Sequence, residues 1–206
     1  DLVLMDFAPD YGYYTSDVTR MWPVNGKYSP VQRELLQFVL DYRNAVLTLI
    51  RPGMTTKAIL EQARLAMERV LQRTKCSKPA YEQAARKMIE TGGGTLSHPV
   101  GLAVHDDGPY NRDVLKPGHV FSIDPQLWVP EENLYLRYED VIVITADGYE
   151  NFTAFLPTDL AELERLVGQG GIALKLQPAA EPSLSRSSGS PTAPTKPRGP
   201  PPARRP

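Results

Sequence analysis

From Ser29 to Gly92 the apolar residues recur three and four apart, and on either side of that stretch they do not. This change of period constrains the fold more than any other feature. A 3.6-residue repeat buries one face of a helix, whereas a two-residue alternation buries one face of a strand. Ser29-Pro30 supplies an N-cap followed by proline at the first helical position. Val31, Leu35, Phe38, Val39, Tyr42, Val46 and Leu49 then share a face, and Pro52-Gly53 ends the run. Thr55 or Thr56 caps a second helix with Ile59, Leu60, Ala63, Met67, Val70 and Leu71 on one side, and a shorter third is expected from Pro79 to Ile89. Upstream, Leu2 to Phe7, a turn over Ala8 to Gly12 and β-rich Tyr13 to Trp22 read as a hairpin. After Gly92-Gly93-Gly94, strands are expected at Leu102–Val104, Val120–Ile123, Tyr135–Thr145 and Tyr149–Phe155, then a helix from Thr158 to Val167. Hairpin, helices, strands and helix in that order specify an α+β domain, with helices covering one face of a curved antiparallel sheet.

The 206 residues suffice for one domain with a sizeable core. That domain is assigned to residues 1–172, and 173–206 to a disordered tail. From Gln177 onward Leu184 is the only large apolar residue, so the segment buries too little to offset ordering entropy. Its prolines suit an SH3-like partner or its charge an anionic surface, but a solvated tail is the simpler reading. From Pro178 onward five basic residues and one acid give +4, which leaves −5 for the rest of a chain whose total is −1. The body therefore offers no nucleic-acid surface. No apolar run is long enough for a bilayer and no secretory signal is evident, so no membrane partner is expected. Cys76 is the only cysteine, which favours a reducing, cytoplasmic compartment. The chain opens at Asp1 and runs at once into Leu2-Val3-Leu4-Met5. A domain that begins inside a buried strand is expected to be the C-terminal piece of a longer one, with any targeting signal upstream.

Four groups of polar residues interrupt the expected strands. Asp6 and Asp17 flank the hairpin turn and, with the turn near Asp10 to Gly12, come nearly opposite each other. Like charges facing across a sheet are destabilising, so something positive belongs between them, a divalent cation being the simplest candidate. Taken alone, two such aspartates are more often solvated. His98 and His105 bracket one glycine-flanked segment, while His119, after Lys116-Pro117-Gly118, reads as a turn residue. Asp124 ends the apolar run Val120–Ile123 and, singly, suits a turn before Pro125. Glu139 sits in an otherwise apolar strand and needs a partner; Arg137, on the same face, would satisfy it as a plain ion pair.

Together Asp6, Asp17, His98, Asp124 and Glu139 are five oxygen and nitrogen ligands contributed in order by separate strands. The set resembles the catalytic core of the pita-bread metallopeptidases: methionine aminopeptidase, Xaa-Pro aminopeptidase and prolidase. In that family the two aspartates are eleven residues apart, as Asp6 and Asp17 are. Ser16-Asp17-Val18-Thr19-Arg20 followed by Pro23-Val24-Asn25-Gly26, the stretch His98 to Asp106, and Arg137-Tyr138-Glu139-Asp140 are similar to its Xaa-Pro branch. The resemblance, covering roughly Asp1 to Val167, implies the C-terminal part of a pita-bread catalytic domain. It implies an aminopeptidase acting on peptides with proline second, through hydroxide generated at two divalent ions, manganese first and cobalt or zinc as alternatives. Asp6 would hold one metal, Asp17 and Glu139 would bridge the two, and His98 and Asp124 would hold the second. His105, with His98, would contact substrate, and Asp124 would also shuttle the proton. Arg137 would orient the carboxylates from behind. A homodimer of the full-length protein is a further expectation. Two features differ from the family. Asp124 stands where Glu is usual, and Gln126 where glycine commonly follows the proline. The family's other catalytic histidine lies upstream of the first aspartate, before Asp1, so the isolated chain is expected to be unstable or inactive. A prolidase acting on dipeptides and a non-catalytic pita-bread module that binds peptides or proteins are the alternatives.

Overall fold

The computed structural model describes residues 1–93, 95–108 and 114–169. The expected tail, 173–206, lies outside the described residues. The chain runs β1 (Leu2–Phe7), β2 (Val18–Pro23), α1 (Pro30–Leu47), α2 (Thr56–Arg73), α3 (Pro79–Thr91), β3 (Val120–Ile123), β4 (Gln126–Val129), a 3-10 turn (Pro130–Glu132), β5 (Leu134–Arg137), β6 (Asp140–Ile144), β7 (Tyr149–Asn151) and α4 (Leu160–Val167). No described helix is long and apolar enough to cross a membrane.

The helices begin where local chemistry starts them. The Ser29 hydroxyl accepts from the Gln32 N–H, and the Gln32 side chain accepts from the Ser29 N–H, closing a capping box over α1. Thr55, rather than Thr56, caps α2 by accepting from Ala58 N. Gly92, in the left-handed region, ends α3. Leu35, Leu36, Val39, Tyr42 and Val46 of α1 are buried with Ile59 and Met67 of α2 and Tyr81 and Ile89 of α3. With Leu127, Val129 and Leu136 they form one apolar core, α1 and α3 packing on β4 and β5 and α4 against β2.

All strand pairing is antiparallel: β1 with β2, β4 with β5, and β3 with β6 with β7. A bridge between Thr19 and Glu139 joins the first pair to the start of β6, and one between Pro99 and Phe121 joins the His98 segment to β3. Several expected strands differ. The run Tyr135–Thr145 is two strands in two sheets, because Tyr138 N bonds to Pro125 O (3.3 Å) and Glu139 N to Thr19 O (3.1 Å). Glu139 therefore sits at a crossover between sheets. Leu102–Val104 is not a strand: Gly101 N turns back to Ala103 O, the Asp106 carboxylate takes the Leu102 N–H, and Leu102 is exposed. The second hairpin strand starts at Val18, not Tyr13, because Gly12 and Tyr13 both adopt positive φ in a two-residue turn closed by Tyr11 and Tyr14. The strand at Tyr149 stops at Asn151, whose side chain accepts from Thr153 N and Thr153 Oγ1. β4, four residues between two prolines, was not expected. On β1, Met5 and Phe7 are exposed.

Candidate metal centre

The hairpin register places Asp6 opposite Thr19, so Asp17 lies diagonally from Asp6 on the same face and not across from it. The turn centre at Gly12-Tyr13 causes the two-residue offset. The carboxylates nevertheless converge. Asp6, Asp17 and Glu139 each offer an oxygen within 4.8 Å of the others, and Asp17, His98 and His105 meet the same limit.

Glu139 is fully buried at the crossover. Its carboxylate accepts from Thr19 Oγ1 (2.9 Å), Ser122 Oγ (2.5 Å) and Arg137 Nη2 (2.6 Å). Burial opposes its ionisation, but His98, Ser122, Arg137 and Thr19 outweigh burial and hold the carboxyl below its usual range. His98 Nδ1 faces the Pro99 carbonyl at 3.2 Å, which suits a proton there and turns Nε2 toward the carboxylates. That Nε2 is buried, 3.6 Å from Asp17 Oδ2 and 3.5 Å from Glu139 Oε1, with no hydrogen-bond partner. The exposed His105 ring lies over that of His98, centroids 4.1 Å apart.

Arg137 answers part of the charge problem. Its guanidinium donates to Asp6 Oδ2 (2.7 Å), Asp124 Oδ1 (2.6 Å) and Glu139 Oε2 (2.6 Å). Asp17 is not among these acceptors, and its carboxyl is pushed up to about 7 by burial, then by Glu139 and Asp6. Asp124, also buried, is pushed up to about 6 by burial and Glu139 against the pull of Arg137. Asp124 is not in either converging group. Arg137 and the Gln126 amide (Nε2 to Oδ2, 2.7 Å) hold it to one side. It still faces the cavity of about 590 Å³ that Asp6, Asp17, His105, Gln126 and Arg137 line. His119 lies in the turn after Lys116, bonding back to its carbonyl.

Sequence reasoning missed Thr19, Ser122 and Gln126. Ser122 left a signal, since period-two counting sets it on the Asp124 face of an apolar strand.

The donors fit a cation. All are carboxylate oxygens or imidazole nitrogen, the set that hard and borderline divalent ions take. An orphaned Nε2 beside a carboxyl forced toward neutrality is the contact that a positive charge would repair.

The chain matches metallopeptidase family M24 over residues 1–146. It is 36% identical over 183 residues to the Xaa-Pro aminopeptidase of Escherichia coli K12, covering 81% of this chain and 41% of that protein. Proline aminopeptidase P II from Yersinia pestis shares its fold with a TM-score of 0.67 at 36% identity, over 82% of this chain and 42% of that one. A zinc-substituted E. coli aminopeptidase P in complex with product gives a TM-score of 0.64 at 33% identity, over 81% and 41%. The chain thus spans about two fifths of the length of these relatives, and its fold is that part of the pita-bread fold. With residues 1–146 matched, and with Asp6, Asp17 and Glu139 converging beside His98 and His105, the chain belongs to metallopeptidase family M24.

Proposed function

We propose that this chain carries the metal-binding part of an aminopeptidase that removes the first residue from peptides with proline second. Asp6, Asp17, His98, Asp124 and Glu139 would hold two divalent ions, manganese being the ion of this reading. Such ions supply an acidified water, giving hydroxide near neutral pH, and favour the developing oxyanion. The chain's own residues do the rest. His105, tilted against the His98 ring at the cavity rim, would contact the substrate carbonyl. Asp124, pushed up to about 6, is matched to carrying a proton near neutral pH. Arg137 fixes the carboxylates of Asp6, Asp124 and Glu139 relative to one another. The single free cysteine fits a cytoplasmic setting, and a homodimer of the longer protein is part of the same reading.

The observation that carries it is the His98 Nε2, buried between the Asp17 and Glu139 carboxylates at 3.6 and 3.5 Å with no hydrogen-bond partner. The test is metal content after equilibration with manganese. Two ions per chain are expected, with loss of at least one in His98→Ala. A chain that takes up no metal would favour the binding-module reading, for which the sideways hold on Asp124 speaks. A loaded protein that cleaves alanine-second and proline-second peptides equally would refute the specificity.

A further inference from the structure

Two residues of the quoted motifs, Arg20 and Asp140, have no part in the site so far, yet with Arg43 they form a buried charge cluster. Asp140 is fully buried and accepts from Arg20 Nη2 (2.7 Å), Thr153 Oγ1 (2.6 Å) and Arg43 Nε of α1. The other arm of Arg20, Nη1, donates to two backbone carbonyls: Glu139 O (2.7 Å) and Thr19 O (3.0 Å). These carbonyls belong to the two residues whose bridge ties β2 to the crossover. Thr19 also gives its hydroxyl to the Glu139 carboxylate, and Glu139 N bonds to Thr19 O. One planar fork therefore holds both the backbone of Glu139 and the residue that grips its side chain.

Stability alone does not account for such a cluster. Replacing a buried ion triad with apolar residues of similar volume is often neutral or stabilising. Arg43 also occupies the inward face of α1 beside Tyr42 and Val46, a face otherwise apolar. We propose that Arg20 is a positioning residue for Glu139, clamping its backbone so that the carboxylate meets Asp17 and His98, and that Asp140, held by Arg43 and Thr153, aims Arg20. The inference rests on the metal reading above.

The test is manganese affinity of the full chain, measured by titration calorimetry and by loss of the free-ion paramagnetic signal. Arg20→Lys keeps the charge beside Asp140, but a single ammonium cannot span Asp140 and both carbonyls. Its affinity is expected to fall about 10- to 100-fold, the usual effect of removing a group that orients a ligand. Met67→Ala, a cavity in α2 away from the site, controls for general destabilisation and is expected to leave affinity unchanged. If Arg20→Lys does not fold, Thr153→Val removes one donor from Asp140 and keeps every charge. Affinity should then fall about 2- to 10-fold, one hydrogen bond expressed as a binding ratio. A folded Arg20→Lys or Thr153→Val with unaltered affinity, or an equal loss in Met67→Ala, overturns the proposal. An unmutated chain that binds no manganese overturns the metal reading, and the clamp with it.

Discussion

Removing the charge of Asp17 should stabilise the metal-free chain, and the gain should grow with pH. The Asp17 carboxyl is pushed up to about 7 from 3.8 by burial, then by Glu139 and Asp6. A carboxyl whose folded pKa exceeds its unfolded one contributes stability that is fully present below pH 3.8 and is lost as the pH rises through 7. At about 1.4 kcal/mol per pH unit the whole displacement corresponds to roughly 4 kcal/mol. The carboxyl borders a cavity and the repelling Asp6 is exposed, so screening of that pair and local relaxation reduce the figure to about 1–2 kcal/mol. In a domain of this size that is a shift of about 2–8 °C in melting temperature. The assay compares thermal melts of wild type and Asp17→Asn in a chelator at several pH values between 4 and 8. The two should nearly coincide at pH 4, and Asp17→Asn should melt higher at pH 8. Excess manganese should invert the order, because binding to the folded state adds about 2.7 kcal/mol at a hundredfold excess over Kd and the variant lacks one of the proposed ligands. A pH-independent difference, or a variant that melts lower than wild type in chelator at pH 8, would refute the claim that Asp17 carries uncompensated charge.

In the full-length protein, Asp124→Ala removes the proposed proton carrier and should cost roughly 10²- to 10⁴-fold in turnover of a short Xaa-Pro peptide. Asp124→Glu should retain substantial activity. Near-normal turnover with full metal content in Asp124→Ala would show that Asp124 is neither ligand nor base. Gly93→Ala tests the support beneath Gln126: Gly93 has φ +52, and an added Cβ would meet the Gln126 carbonyl and Met88 Cγ at 2.8 Å each. The left-handed conformation alone costs about 1–2 kcal/mol for a side chain other than glycine's, so a melting temperature lowered by at least about 2 °C is expected.

The helices were legible because several local signals agreed. In α1 the cap, the proline and the apolar face all point to one start, and the helix begins at Pro30. The strands were less legible because their boundaries depend on partners distant in sequence. Nothing within Tyr135–Thr145 marks the exchange of partners at Tyr138 and Glu139; the bonds that end β5 and begin β6 come from Pro125 and Thr19. Leu102–Val104 is an apolar run that reads as a short strand, yet Asp106 captures the Leu102 N–H and bends the segment. The carboxylate oxygen stands 2.4 Å from where a Gly101 Cβ would lie, so the approach depends on that glycine.

For the site, the residue types were readable and the distribution of charge among them was not. The sequence demanded something positive between Asp6 and Asp17, and a buried partner for Glu139. Arg137 meets both demands only in part. Its fork spans Asp6, Asp124 and Glu139, three carboxylates from three strands or their ends. One guanidinium cannot also serve Asp17, which lies on the far side of the hairpin diagonal. The residual charge therefore falls on Asp17 and is registered there in its raised pKa, next to the buried His98 Nε2, which has no hydrogen-bond partner. No single-residue reading of the chain could locate that remainder, because it follows from which acceptors the arginine reaches. It also separates the two roles assigned to the carboxylates. Asp6, Asp124 and Glu139 are held by Arg137, whereas Asp17 and His98 are the pair that the ion of the proposed function would satisfy.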